Sequence, residues 1–398
     1  MGFSIQNLEF LLLVAAVVAM VARRLHIPYS VGLVLAGIGL AFLPVFHDIQ
    51  LTRDLIFTVL LPPLIFEAAF YLHWQPLRKD FLLITLLATL GVLLSAGFTT
   101  IGMHFLAHWE WAGALVFGIL IAATDPVSVI AVFKEAGATG RLRLLVEAES
   151  LFNDGTAAVG FDVAVAIALG QSVTIAGISK ALALTIGGGI LCGAAVAGCA
   201  LLMAGSTDDH LVEITFTTVG AYGSFLLAQH FHFSGVLATL TAGLMMGNIG
   251  PLGAISDKGR AAVESFWDYA AFVANSLIFL LIGMRETRLH FAAKWWPVIV
   301  AILLVTLGRA LAIYPTCFLF SRSERRVSGR DQFILFWGGL RGALALALVL
   351  GLPEGLPQRE DIITTSFAVV AFSIFVQGLT IPPLLRNGRQ SVAATCDS

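Results

Sequence analysis

Long apolar runs recur along the whole chain, each close to the roughly 20 residues that a helix needs to cross a bilayer, with short polar breaks between them. In hydrocarbon a backbone must satisfy its own hydrogen bonds, which only α-helices and closed barrels do. Runs this long exceed the roughly 9–11 residues of a barrel strand. The pattern therefore predicts an all-α integral membrane protein of about 13 transmembrane helices. Their approximate spans are 6–23, 29–46, 52–72, 80–106, 111–134, 140–170, 177–204, 207–229, 234–250, 262–286, 294–321, 329–351 and 360–386. Pro28, Pro76, Pro251, Pro357 and the charged stretch from Arg322 to Arg330 mark breaks, as helix stop signals do. These spans leave no room for a soluble domain, so residues 1–398 form a single polytopic membrane domain.

Only 12% of residues are charged, against about 25% in a soluble globule. A net charge of -2 offers no basic surface for nucleic acid. Cys192, Cys199 and Cys317 sit in apolar runs and Cys396 in the tail, with no CxxC pair for metal or redox work. Neither HExxH nor GxSxG falls in a span, which argues against an enzyme and against a resident cofactor. Arg23 and Arg24 follow the first run rather than precede it, so that run reads as a helix and not as a cleaved leader. Roughly 15 Lys and Arg fall in the breaks on one side and about 6 on the other, which by the positive-inside rule places the N-terminus outside and the C-terminus in the cytoplasm.

Two spans are interrupted in matching positions of the two halves, the fifth at Thr124-Asp125-Pro126 and the twelfth at Trp337-Gly338-Gly339-Leu340-Arg341-Gly342. Paired discontinuous helices point to an inverted-repeat transporter with its site near the midplane. Pro126 cannot donate a helical hydrogen bond, so the fifth span is expected to free backbone oxygens beside Thr124 and Asp125 for a hard cation. In a soluble chain the same triplet would mark a loop or cap; long apolar runs on both sides argue against that here.

The stretch from Glu147 to Gly155 carries three carboxylates, an amide and a hydroxyl into the sixth span, at an insertion cost of about 2.5–3.5 kcal/mol for a central Asp. Helical spacing puts Ser150 and Asp154 on one face and Glu149 and Asn153 on the next. The first pair suits ion binding and the second suits bracing. Acids at a helix N-terminus need no function, and that reading fits Glu147 better than Asp154. Arg309 and Arg341 are intramembrane arginines that each need a partner; Glu149 is available, and spacing does not choose between them. Glu67, after Leu61-Pro62-Pro63, is a third-helix carboxylate within reach of the site through water or a plain interfacial acid. Glu264 and Asp268 would draw cations into a cytoplasmic funnel or simply favour a helix start. Asp162, two turns beyond Asp154, lines the same cavity or supports packing.

At these motifs the chain resembles the NhaP-type monovalent cation/proton antiporters, relatives of animal sodium/proton exchangers. Thr124-Asp125-Pro126, Glu149-Ser150-Leu151-Phe152-Asn153-Asp154-Gly155 and Gly338-Gly339-Leu340-Arg341-Gly342 carry the match, which spans essentially the whole chain. The resemblance implies a homodimer of inverted repeats with two crossed broken helices in a mobile core. That core would come from 80–170 and 294–386, and a dimer scaffold from 6–72 and 177–286. It also implies a Na+ site at Asp154, Asp125, Ser150 and Thr124, with Glu67 joined through water, and a Glu149–Arg309 pair. Asn153 in place of a second Asp resembles the electroneutral branch. The long regulatory tail of animal exchangers has no counterpart after the last span.

The expected activity is exchange of Na+ or Li+ for H+ by alternating access, with both ions competing for Asp154, in a bacterial cell membrane and surrounded by lipid. A K+/H+ antiporter is the alternative, and a cation channel without proton coupling is a rival of another class.

Overall fold

A computed structural model describes residues 5–25, 27–43, 52, 54–125, 129, 133, 140–171, 174–206, 208–286 and 294–385. Pro126 and Cys396 lie outside these residues. Every regular element among those described is helical. In chain order they are α1 (Ile5–Leu25), α2 (Tyr29–Leu40), α3 (Leu55–Phe70), α4 (Trp74–Ala107), α5 (Trp111–Leu120), α6 (Arg141–Ala168) and α7 (Ile175–Ala204). There follow α8 (His210–His230), α9 (Gly235–Ile249), α10 (Asp257–Glu286), α11 (Trp295–Leu319), α12 (Gly329–Trp337), α13 (Ala343–Leu350) and α14 (Arg359–Leu385). Among the described residues, 8 helices are long and apolar enough to cross a membrane, and α2, α3 and α5 are shorter apolar helices. Outward side chains such as Leu202, 82% exposed, and Phe318, 74% exposed, make a surface suited to lipid.

Local chemistry sets several helix starts. Thr174, Asp209, Ser234 and Ser328 each accept a hydrogen bond from a backbone N–H in the first turn of α7, α8, α9 and α12, filling donors that a helix leaves unpaired. The fourth span differs from its expected start near residue 80, because α4 begins at Trp74. Pro76 falls inside the first turn, where its missing N–H costs nothing, so it opens the helix instead of marking a break. Among the described residues, four π-helical turns, at Leu55–Leu60, Leu87–Gly91, Val219–Gly223 and Ser373–Gln377, carry no signature that apolar periodicity reveals.

Packing places α4, α5, α6, α11, α12, α13 and α14 largely against one another, and α1, α2, α3, α7, α8, α9 and α10 likewise. Within the second set α2 and α10 approach at their backbones: a Cβ on Gly37 would collide with the carbonyl of Leu280, and one on Gly283 with that of Val34. The sets meet where α6 runs beside α9, α3 and α7. On this seam Leu237 of α9 rests on Gly155 of α6, where a Cβ would overlap its side chain.

Candidate ion-binding site

The two helix breaks meet. Past the end of α5, Ala123, Thr124 and Asp125 leave helical conformation, and between α12 and α13 residues 339–342 do the same. The backbone N–H of Asp125 donates to Leu340 O at 2.7 Å. The Arg341 guanidinium donates to Ala122 O at 2.5 Å and to Ala123 O at 3.0 Å. It thus places a cation at the carbonyl end of α5, where the helix dipole favours one. On the other side, the Arg341 N–H donates to Ser373 Oγ at 2.7 Å, and Ser373 opens the π-helical turn of α14. Gly342 has no room for a side chain, because a Cβ there would overlap the Asp125 carboxylate.

The carbonyls freed at the first break correct the sequence expectation. Oxygens beside Thr124 and Asp125 were expected to await a cation; those of Ala122 and Ala123 are instead taken by Arg341. The second break satisfies the first. Spacing along the chain gives no sign of this, since Arg341 lies 219 and 218 residues from these partners.

α6 brings the acids to the breaks. Glu149 is 0% exposed and accepts from Arg309 through both oxygens, at 2.7 and 2.8 Å. Arg309 also donates to Leu335 O at 3.1 Å, tying α11 and α12 to the same pair. Such two-point pairing is what an arginine fork offers a carboxylate. Asn153 Nδ2 reaches Glu149 Oε1 at 3.2 Å, Thr124 Oγ1 at 3.1 Å and Ala122 O at 3.3 Å. Thr124 Oγ1 donates in turn to Ser150 Oγ at 3.0 Å. A polar chain therefore runs from Arg309 through Glu149, Asn153 and Thr124 to Ser150.

Asp154 stands apart from that chain. It is 3% exposed, and its Oδ1 has no hydrogen-bond partner among the described residues. Asp125, Glu149 and Arg341 are near enough to act on it electrostatically. A buried carboxylate oxygen of this kind demands a counter-charge or a proton.

The other candidate acids sit on α3 and α10. Glu67 is half-buried on α3, one turn before Tyr71, whose hydroxyl donates to Asp268 Oδ1 at 3.1 Å. Glu264 pairs with Arg260 at 2.9 Å in the first turns of α10. Among the described residues no cluster of His, Cys, Asp and Glu has the form of a resident metal site. Sequence reasoning missed Ser373 and the carbonyls of Ala122, Ala123, Leu335 and Leu340; a run of hydroxyls in the last span, Thr364, Thr365, Ser366 and Ser373, was the available hint.

The chain matches the family described as "Sodium/hydrogen exchanger, transmembrane" over residues 11–387. It is 36% identical over 391 residues to the Na(+)/H(+) antiporter ApNhaP of Aphanothece halophytica, covering 96% of this chain and 75% of that protein. With the Na(+)/H(+) antiporter NhaH of Halobacillus dabanensis it shares 33% identity over 402 residues, covering 97% and 98%. In fold it resembles the sodium proton antiporter MjNhaP1 of Methanocaldococcus jannaschii, with a TM-score of 0.76 at 20% identity over 96% of this chain and 97% of that one. By sequence and fold together, this multi-pass membrane chain belongs to the sodium/hydrogen exchanger family, a family of transporters and not of enzymes.

Proposed function

We propose that this chain exchanges Na+ or Li+ for H+ on one site, with Asp154 as the titrating group. The observation that carries the reading is the buried, unpartnered Oδ1 of Asp154 beside Asp125, Ser150 and Thr124. These residues supply the hard oxygens that a small cation takes. Glu149, Asn153, Arg309 and Arg341 brace the site, and Glu67 joins it through water. Glu264 and Asp268 draw cations toward the cytoplasmic mouth.

Coupling then needs no further device. Asp154 holds a proton or a cation, never both, and a bare carboxylate is too costly to carry across an apolar barrier. The loaded core, from 80–170 and 294–386, shifts along a scaffold from 6–72 and 177–286 that also forms a homodimer. With Asn153 rather than a second acid before Asp154, one cation leaves for one proton and the cycle is electroneutral. The protein lies in a bacterial cell membrane, N-terminus outside and C-terminus in the cytoplasm, and serves pH homeostasis.

Antiport in everted vesicles, scanned over pH with Na+, Li+ and K+, tests the reading. Exchange with Na+ and Li+ that Asp154→Asn abolishes is expected. Exchange surviving in Asp154→Asn would overturn the mechanism, activity with K+ alone would make it a potassium exchanger, and single-channel currents without proton coupling would make it a channel.

A further inference from the structure

α6 carries a second acid beyond the site. Asp162 follows Asp154 by two turns on the same helix face, with Ala158 between them. At 1.5 Å per residue the two positions lie about 12 Å apart along α6. Asp154 is sealed, whereas Asp162 is exposed and lines a crevice between the two helix sets. A cavity of about 270 Å³ opens at the end of α6 and α7, between Ala166, Gln171 and Ile178. A second, of about 80 Å³, continues inward along α6 to Ala158, with Phe57 and Leu348 among its walls. Val159, Asp162 and Thr185 line both, so Asp162 stands between the two cavities.

The inner chamber also gathers neutral oxygen ligands. Thr185, Gln229 and Ser234 line it together with Asp162. Ser234 is fixed there: its N–H donates to Thr185 O at 3.2 Å and its Oγ accepts from Leu237 N–H at 3.2 Å. Leu237, held by that bond at the head of α9, is the residue seated on Gly155, next to Asp154 in sequence. A carboxylate with hydroxyl and amide oxygens in a low-dielectric passage concentrates cations. The lining of the inner chamber reaches Ala158, one turn from Asp154 along α6.

We infer that Asp162, with Thr185, Gln229 and Ser234, forms a staging site for the transported monovalent cation and for protons, on the route to Asp154 from the face where α6 ends, and that Leu237 on Gly155 is its closed end. The inference rests on the exchange reading above and adds a second station to it. In the proposed orientation the station serves the outer face.

The test compares Na+ half-saturation in right-side-out and everted vesicles. Asp162→Asn is expected to raise it about five- to tenfold from the face where α6 ends while the opposite face stays within about twofold, and Asp162→Glu to restore it. An equal change from both faces, or none from either, overturns the proposal. In parallel, Ala158→Cys in a chain with Cys192, Cys199, Cys317 and Cys396 replaced by Ala is treated with a membrane-impermeant thiol reagent. Labelling from that face alone, slowed by Na+ only while Asp162 is present, is expected; no labelling from that face overturns the passage. If the unsubstituted chain exchanges nothing from either face, the exchange reading fails instead, and the labelling still decides on the passage.

Discussion

Glu149 is held by Arg309 through two hydrogen bonds with no solvent to replace either partner. Removing one member of such a pair strands a charge, at a cost of about 3–5 kcal/mol. Arg309→Ala is therefore expected to lower the melting temperature of purified protein sharply, whereas a paired Glu149→Gln, Arg309→Met chain recovers most of the loss. Equal destabilisation by the single and double changes would show that the pair is not the source. The acids of this region were legible because each is costly in a membrane, and i, i+4 spacing correctly sets Asn153 beside Glu149. Spacing did not choose the partner; the family resemblance pointed to Arg309, and the hydrogen bonds agree. Arg309 and Arg341 carry the same cost, and only the rotation of α11, which spacing does not encode, turns one of them toward Glu149.

At the scale of elements, the breaks depend on close approach. Gly342→Ala would push a methyl group into the Asp125 carboxylate. Exchange is expected to fall by more than about tenfold, given how steeply catalysis and binding depend on placement, while the protein still purifies as a folded species. Normal exchange with a normal ion affinity would contradict the geometry. A second lock sits at the far end of α4 and α6, where Arg141 binds both oxygens of Asp80, at 2.9 and 2.7 Å, and also the carbonyls of Arg325 and Arg326. Asp80→Asn is expected to destabilise by about 1–3 kcal/mol, read by thermal melting. The sequence placed Asp80 at a helix start, and the extension of α4 back to Trp74 is what lets it lie beside α6. Apolar periodicity is blind to such ends, since the first turns of α4 carry Arg78, Lys79 and Asp80.

For the whole molecule, the proposed competition at Asp154 predicts the pH dependence. Protons and Na+ exclude each other, so lowering the pH raises the Na+ needed for half-maximal exchange, approaching about tenfold per pH unit once protonation dominates. Vesicle assays at fixed internal pH check the slope; a half-saturation independent of pH would rule out a shared site. Imposed membrane potential is expected to leave the rate unchanged. Apolar runs and the two interrupted spans made the all-helical architecture readable. The partition of helices was expected from the resemblance and not from periodicity, because lipid-facing and protein-facing sides are both apolar and leave little amphipathic contrast.

The hydrogen bonds that join the two breaks bear on energetics as well as on shape. Asp125 is tied to Leu340, and Arg341 to Ala122 and Ala123, so three hydrogen bonds hold the two breaks to each other. In the proposed one-for-one cycle, exchange runs forward or backward as the opposing gradients dictate and stops when the Na+ and H+ ratios across the membrane are equal.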